Sequence, residues 1–176
     1  MRNMPSKIKQ TIAVVLLACC FSFQAEKITE QTAKALFVYN FTKYFEWPTD
    51  KSENKFIIGI YGHSDILSEL MDFTYGKSAL GLPIDISLVK SESEISSCFI
   101  LYVPMAYSNE LKAIAEKTKN RGVLIVSEKP GDCLKGAGIN IIKKNNKLVF
   151  ELNQSAIKFS GLKVSEQLLS LAVVVK

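Results

Sequence analysis

"KFIIGIYG", residues 55–62, is a continuous apolar run bounded by polar and turn-forming residues. A run of that length without polar alternation predicts a strand buried on both faces, the kind found in parallel sheets covered by helices. The flanking segments fit that reading. "SDILSELMDF", 64–73, has apolar residues at 66, 67, 70, 71 and 73, with Ser64 or Asp65 placed to cap a helix. "LPIDISLV", 82–89, alternates and predicts a strand. "CFILYV", 98–103, and "GVLIVS", 122–127, repeat the continuous apolar pattern. Between them, "SNELKAIAEKTKN", 108–120, places Leu111, Ile114, Ala115 and Thr118 on one helical face, with Gly122 just past its end.

The last third of the chain reads differently. In "GINIIKKNNKLVFELN", 138–153, two strand-like runs flank Lys-Asn-Asn-Lys. Asn tolerates the positive φ of a tight turn, so this is a hairpin. Asn153 can cap a short helix to Ser160, Gly161 ends it, and "SEQLLSLAVVV", 165–175, reads as a final helix. Strands alternating with helices predict an α/β fold: a three-layer sandwich, its mostly parallel sheet flanked by helices, with an antiparallel hairpin at one edge.

"KALFVYNFTKYFEWP", 34–48, belongs to a helix predicted over 29–46 and ended by Pro48, since the residue before a proline is pushed out of the α region. Stepped at about 100° per residue, Ala33, Leu36, Phe37, Val38, Phe41, Tyr44, Phe45 and Trp47 cover roughly 200°. Most of these side chains therefore face protein. Thr42 falls on the remaining face. Asn40 falls inside the arc and needs polar partners there, expected from loop backbone. Trp47, at the helix end, is expected to stay part-exposed and is the aromatic placed to touch a partner.

The first 25 residues read as an export signal. Arg2, Lys7 and Lys9 make a basic n-region, and the apolar run from Ile12 to Phe21 is too short to span a bilayer. Cleavage after Ala25 would leave 26–176 as a single domain in the periplasm. "LLAC", 16–19, offers a second reading, a lipobox with Cys19 as a lipidated N-terminus. The net charge of +5 falls to +2 without the three leader cations, which removes any electrostatic case for nucleic acid.

The catalytic inventory is thin. His63 is the single histidine, so a histidine-based metal site or triad has little to build on. No phosphate-binding glycine loop, nucleophile elbow or C-x-x-C occurs; no catalytic residue, cofactor or metal is expected. Gly62–Asp65, Pro104–Tyr107 and Ser127–Gly131 would lie beyond the carboxyl ends of strands, where open parallel sheets bind ligands. His63, Asp65, Ser127 and Glu128 are therefore the set on which a small-ligand site or weak hydrolase would depend. Cys98 and Cys133 belong at opposite sheet edges and are expected to be free thiols. Lys158, Phe159, Leu162 and Lys163 gather at the Gly161 helix break and read either as a docking patch, an apolar pair rimmed by lysines, or, in the alternative, with Phe159 packed beneath the aromatic helix. Ala156, Ile157 and Ser160 would cover the core.

Taken in order, "KALFVYNFTKYFEWP", "IGIYG", "CFILYV", "VLIVSE" and "GAGINIIKKNNKLVFELNQSAIKFSGLKVSEQLLSLA" resemble the YfiR-like family of exported bacterial proteins, from about residue 31 to 173. The resemblance implies a periplasmic α/β regulator rather than an enzyme. It implies two kinds of partner: the periplasmic domain of a membrane sensor or diguanylate cyclase, which the family represses, and an outer-membrane lipoprotein that relieves repression by sequestration. It also implies two disulfides. Cys98 and Cys133 look like one member of each pair with the partners absent, so no redox switch follows. Whether the chain is a monomer or a homodimer stays open.

Overall fold

β2 (Phe56–Tyr61) lies inside an eight-stranded sheet, as its apolar run requires. The computed structural model describes residues 28–48 and 54–175; the leader segment and Cys19 lie outside them. The other strands of this sheet are β3 (Ser78–Ala79), β4 (Leu82–Val89), β5 (Ile100–Val103), β6 (Leu124–Ser127), β7 (Ile139–Lys144), β8 (Lys147–Asn153) and β10 (Val173–Val175), in the order β10-β8-β7-β6-β5-β2-β4-β3. From β4 to β7 all neighbours are parallel. All four residues of β5 and of β6 are buried.

Helices cover both faces, giving the three layers expected. On one face, α1 (Glu30–Phe41) and α2 (Ile66–Thr74) bury Ala35, Val38, Phe41, Ile66 and Leu70 against Phe56, Ile58, Ile60, Ile100 and Tyr102. On the other, α3 (Glu92–Ser97) and α4 (Leu111–Lys117) bury Ile95, Leu111 and Ile114 against Leu101, Val103 and Ile125. Gly59 interrupts the isoleucines of β2 because a Cβ there would lie 2.4 Å from Cys98 Sγ and 2.6 Å from Val89 Cγ2.

The hairpin between β7 and β8 turns on Asn145 and Asn146, with φ of 49° and 60°. Both positive angles match a two-residue turn whose twist suits the strands. The hairpin is next to the edge, however, because β10 pairs in parallel outside β8. This corrects the expected final helix: α6 (Glu166–Leu171) stops at Ala172, and the three valines extend. β-branched side chains pack better on a pleated surface than along a helix.

The opening helix is also shorter than the predicted span to residue 46. α1 ends at Phe41, and β1 (Phe45–Glu46) pairs antiparallel with β9 (Lys163–Val164) in a separate two-stranded sheet. Phe45 and Trp47 are buried and Glu46 is exposed, an alternation that belongs to a strand. Three placements in and just after α1 also differ from the expected ones. Thr42 is buried, its hydroxyl donating to the Tyr39 carbonyl at 2.7 Å. Leu36 is exposed. Asn40 is half-buried, and its Oδ1 accepts from Lys43 Nζ at 3.3 Å, the side-chain partner it has among the described residues in place of the expected loop backbone.

Candidate functional site

The surface around α5 (Gln154–Phe159) is fixed at both ends. At its start, Asn153 Oδ1 accepts from the Ala156 amide at 3.0 Å, the cap expected from the sequence, and Asn153 Nδ2 donates to the Cys133 carbonyl at 2.7 Å. One side chain thus ties α5 to the 3-10 turn at Asp132–Lys135. At its end, the Phe159 and Ser160 carbonyls accept from the Asn120 and Gly122 amides at 3.0 and 2.8 Å. Gly122, with φ of +63°, also makes room for Pro48, whose ring carbons would lie 2.6 Å from a Cβ there.

Ala156, Ile157 and Ser160 are buried, as expected of the core-covering face. Lys158 and Lys163 are exposed, and Phe159 is half-buried with Lys119 Nζ 5.0 Å from its ring centroid. Lys163 Nζ pairs with Glu46 Oε2 at 3.0 Å across the β1–β9 ladder. The other two residues sit differently from the reading of the sequence. Leu162 is buried rather than projecting from the bend, because the Gly161 turn directs the chain inward and the Leu162 amide donates to the Ile157 carbonyl at 3.1 Å. Trp47 is only 8% exposed. Its ring packs on Phe45, Phe56 and Phe99 with centroids 5.4–5.8 Å away, since β1 points it into the sheet. Its indole nitrogen has no hydrogen-bond partner among the described residues.

Two grooves flank α5. One, of about 580 Å³, is bordered by Ile157, Lys158, Lys163 and Val164, with buried Leu162 at its floor. The other, of about 650 Å³, lies between α4, the 132–135 turn and α5. Sequence reading missed the second groove. The signal available was Leu134, an apolar residue in a turn bounded by Gly131 and Gly136, which is 69% exposed.

At the carboxyl ends of the strands a cleft of about 200 Å³ is lined by Gln31, His63, Ser64, Asp65, Met105 and Glu128. It brings together three of the four residues singled out there. Its chemistry is internally engaged. Glu128 Oε2 accepts from Lys34 Nζ and from the Tyr102 hydroxyl, each at 2.7 Å, and Oε1 accepts from the Met105 amide at 3.0 Å. Burial opposes the Glu128 charge, but these hydrogen bonds outweigh it and hold the carboxyl below its ordinary value. Burial likewise opposes the Lys34 charge, and Glu128 with Glu30 outweighs it, so the ammonium is held more firmly than usual. Burial and the neighbouring carboxylate push the Tyr102 hydroxyl upward. Ser127 is buried and donates to Asn140 Oδ1 at 3.0 Å, facing away from this cleft. Lys34 was not singled out in the sequence; its spacing from Glu30, at i,i+4, was the available sign.

Cys98 and Cys133 are both free and buried, as expected. Cys98 Sγ donates to the Glu94 carbonyl at 3.1 Å. Burial, followed by the Glu151 and Asp132 charges, pushes the Cys133 thiol up to about 12, which makes it a poor nucleophile. Among the described residues no cluster of three or more His, Cys, Asp and Glu could hold a metal ion, and no helix is long and apolar enough to cross a membrane.

Comparison with known proteins agrees with the order of motifs. A search of curated proteins finds no match. A family model described as YfiR/HmsC-like matches residues 31–173, most of the chain, running from α1 to the first residue of β10. At the level of the family, the role is regulatory and periplasmic, in cyclic di-GMP signalling. The aromatic first helix, the parallel sheet and the Asn-capped α5 are thus the structure of a protein that belongs to the YfiR/HmsC-like family.

Proposed function

We propose that the chain is an exported, single-domain regulator, with residues 1–25 as its leader, that modulates a membrane signalling protein by direct contact and turns over no substrate. The partner that best suits the family is the periplasmic domain of a diguanylate cyclase, with an outer-membrane lipoprotein as the component that draws the regulator away. The observation carrying this reading is the surface around α5. Two open grooves of about 650 and 580 Å³ share Ser155, with half-buried Phe159 lining the larger and exposed Lys158 the smaller. That is an apolar surface inside a charged rim, the composition of a protein interface. Lys158, Phe159 and Lys163 are the contact residues in this reading; Leu162 and Trp47 act from beneath, by shaping the surface.

The test is a cell in which the chain is deleted and re-expressed. Wild type should lower cyclic di-GMP, and Lys158→Glu with Lys163→Glu should fail to do so while the purified variant keeps its melting temperature. No change in cyclic di-GMP on deletion would count against the reading. The second reading, a small-ligand site or weak hydrolase at the strand ends, is favoured by the cleft of about 200 Å³. Against its hydrolytic form, Ser127 is buried and Glu128 is fully engaged.

A further inference from the structure

The larger groove has features that say what kind of chain fits it. Its floor is made of small residues: Gly136 has φ of +111°, and a Cβ there would lie 2.5 Å from Ala115 Cβ. Ala113 and Ala156 extend this small-residue lining up the walls. Leu134, 69% exposed, and the Phe159 ring also line the groove. Small residues beside two large apolar ones let a backbone approach closely while giving it side chains to grip.

The groove has no strand edge to offer, because β7 and β8 behind it are paired on both sides. Addition of an extended strand is therefore excluded, and a helix laid into the groove is the mode that suits a small-residue lining beside two large apolar side chains. Charge then selects the helix. Lys112 lines the groove and Lys119 sits over the Phe159 ring, against Glu116, while Lys158 borders the smaller groove on the other side of α5. Lys135 contributes little to this field, since it is held 3.1 Å from buried Asp132 and donates to Ser108 Oγ at 2.8 Å.

We propose that this groove receives an acidic amphipathic helix of the membrane partner, its apolar side chains seated against Leu134 and Phe159 and its carboxylates facing Lys112 and Lys119. The proposal rests on the contact reading above and deepens it by assigning the face and the chemistry of the bound segment.

The experiment places a photo-crosslinking benzoylphenylalanine at position 134 or at position 158 of the full-length chain in cells, and maps the crosslinked peptide by mass spectrometry. Position 134 should capture a net-negative segment with apolar residues spaced i, i+3, i+4 and i+7. Lys112→Glu should cut that yield at least tenfold, and Lys112→Arg should not. Capture of a basic or unpatterned segment at 134 overturns the proposal. Capture from 158 alone also overturns it, while leaving the contact reading intact. No capture from either position removes both.

Discussion

Lys34 Nζ lies 2.7 Å from Glu128 Oε2, an ion pair that joins the first helix to the end of β6 beneath the surface of the sheet. Each member is nearly enclosed, with side-chain exposures of 10% and 15%. Removing one member of such a pair leaves a desolvated charge behind. Lys34→Met should cost about 3 kcal/mol in denaturant titration, at the low end of the range for broken buried pairs because Tyr102 and the Met105 amide still serve Glu128. A loss under 1 kcal/mol would show the pair to be solvated.

The same pair sets a pH dependence. The folded-state pKa of Glu128 is depressed below the ordinary carboxylate value of 4.5. Its contribution is therefore present above about pH 4.5 and is lost as pH falls through the lower, folded-state value. Glu128→Gln should flatten the acid limb of a stability-against-pH curve in that window. An unchanged limb would remove Glu128 as its cause.

Trp47 and Phe159 separate core from surface. Trp47→Ala should cost about 3–5 kcal/mol, as for a large aromatic enclosed by others. Phe159→Ala, at a half-buried ring beneath Lys119, should cost about 1 kcal/mol of stability and weaken partner binding by about 2 kcal/mol. If calorimetry finds the two losses equal, Phe159 belongs to the core and leaves the docking surface.

Both cysteines should resist alkylation at pH 8 in the native protein and react fully in denaturant without reductant. Labelling that requires reductant would reveal a disulfide and contradict the strand polarity.

Gly59→Ala would drive a methyl group toward Cys98 Sγ and Val89. It should cost about 1–3 kcal/mol, as overpacking does. Cys98→Ala in the same chain should recover part of that loss. Strict additivity of the two substitutions would mean that the contact is not what excludes a side chain at 59.

Continuous apolar runs made the parallel sheet legible, since only a strand buried on both faces needs no polar alternation. Gly161 and Asn153 made α5 legible through their caps. Two errors arose where a helix was extended into a strand: across Phe45-Glu46-Trp47, whose burial alternates with period two, and across the three valines of Val173–Val175, whose β-branched side chains suit a pleated surface. Each segment pairs with chain distant in sequence. The strand-end residues were legible as neighbours but not as spent groups, because the Lys34–Glu128 contact spans 94 positions. The groove beside α5 was illegible for a related reason. Its walls come from α4, the 132–135 turn and α5, and what joins two of them is a side-chain bond from Asn153 to a backbone carbonyl.

The pairing of Phe45 with Val164 also governs when the molecule can fold. The aromatic cluster under the first helix gains its cover only after β9 has been made, and β8 gains its outer neighbour only from the final valines. Contacts this far apart in sequence slow folding, because the loop must close before the contacts stabilise it. A nascent chain that stops before Lys163 lacks both β9 and β10, so neither pairing can form yet. Synthesis of β9 and β10 is then the step that lets both pairings close, and a truncation before Lys163 would remove them.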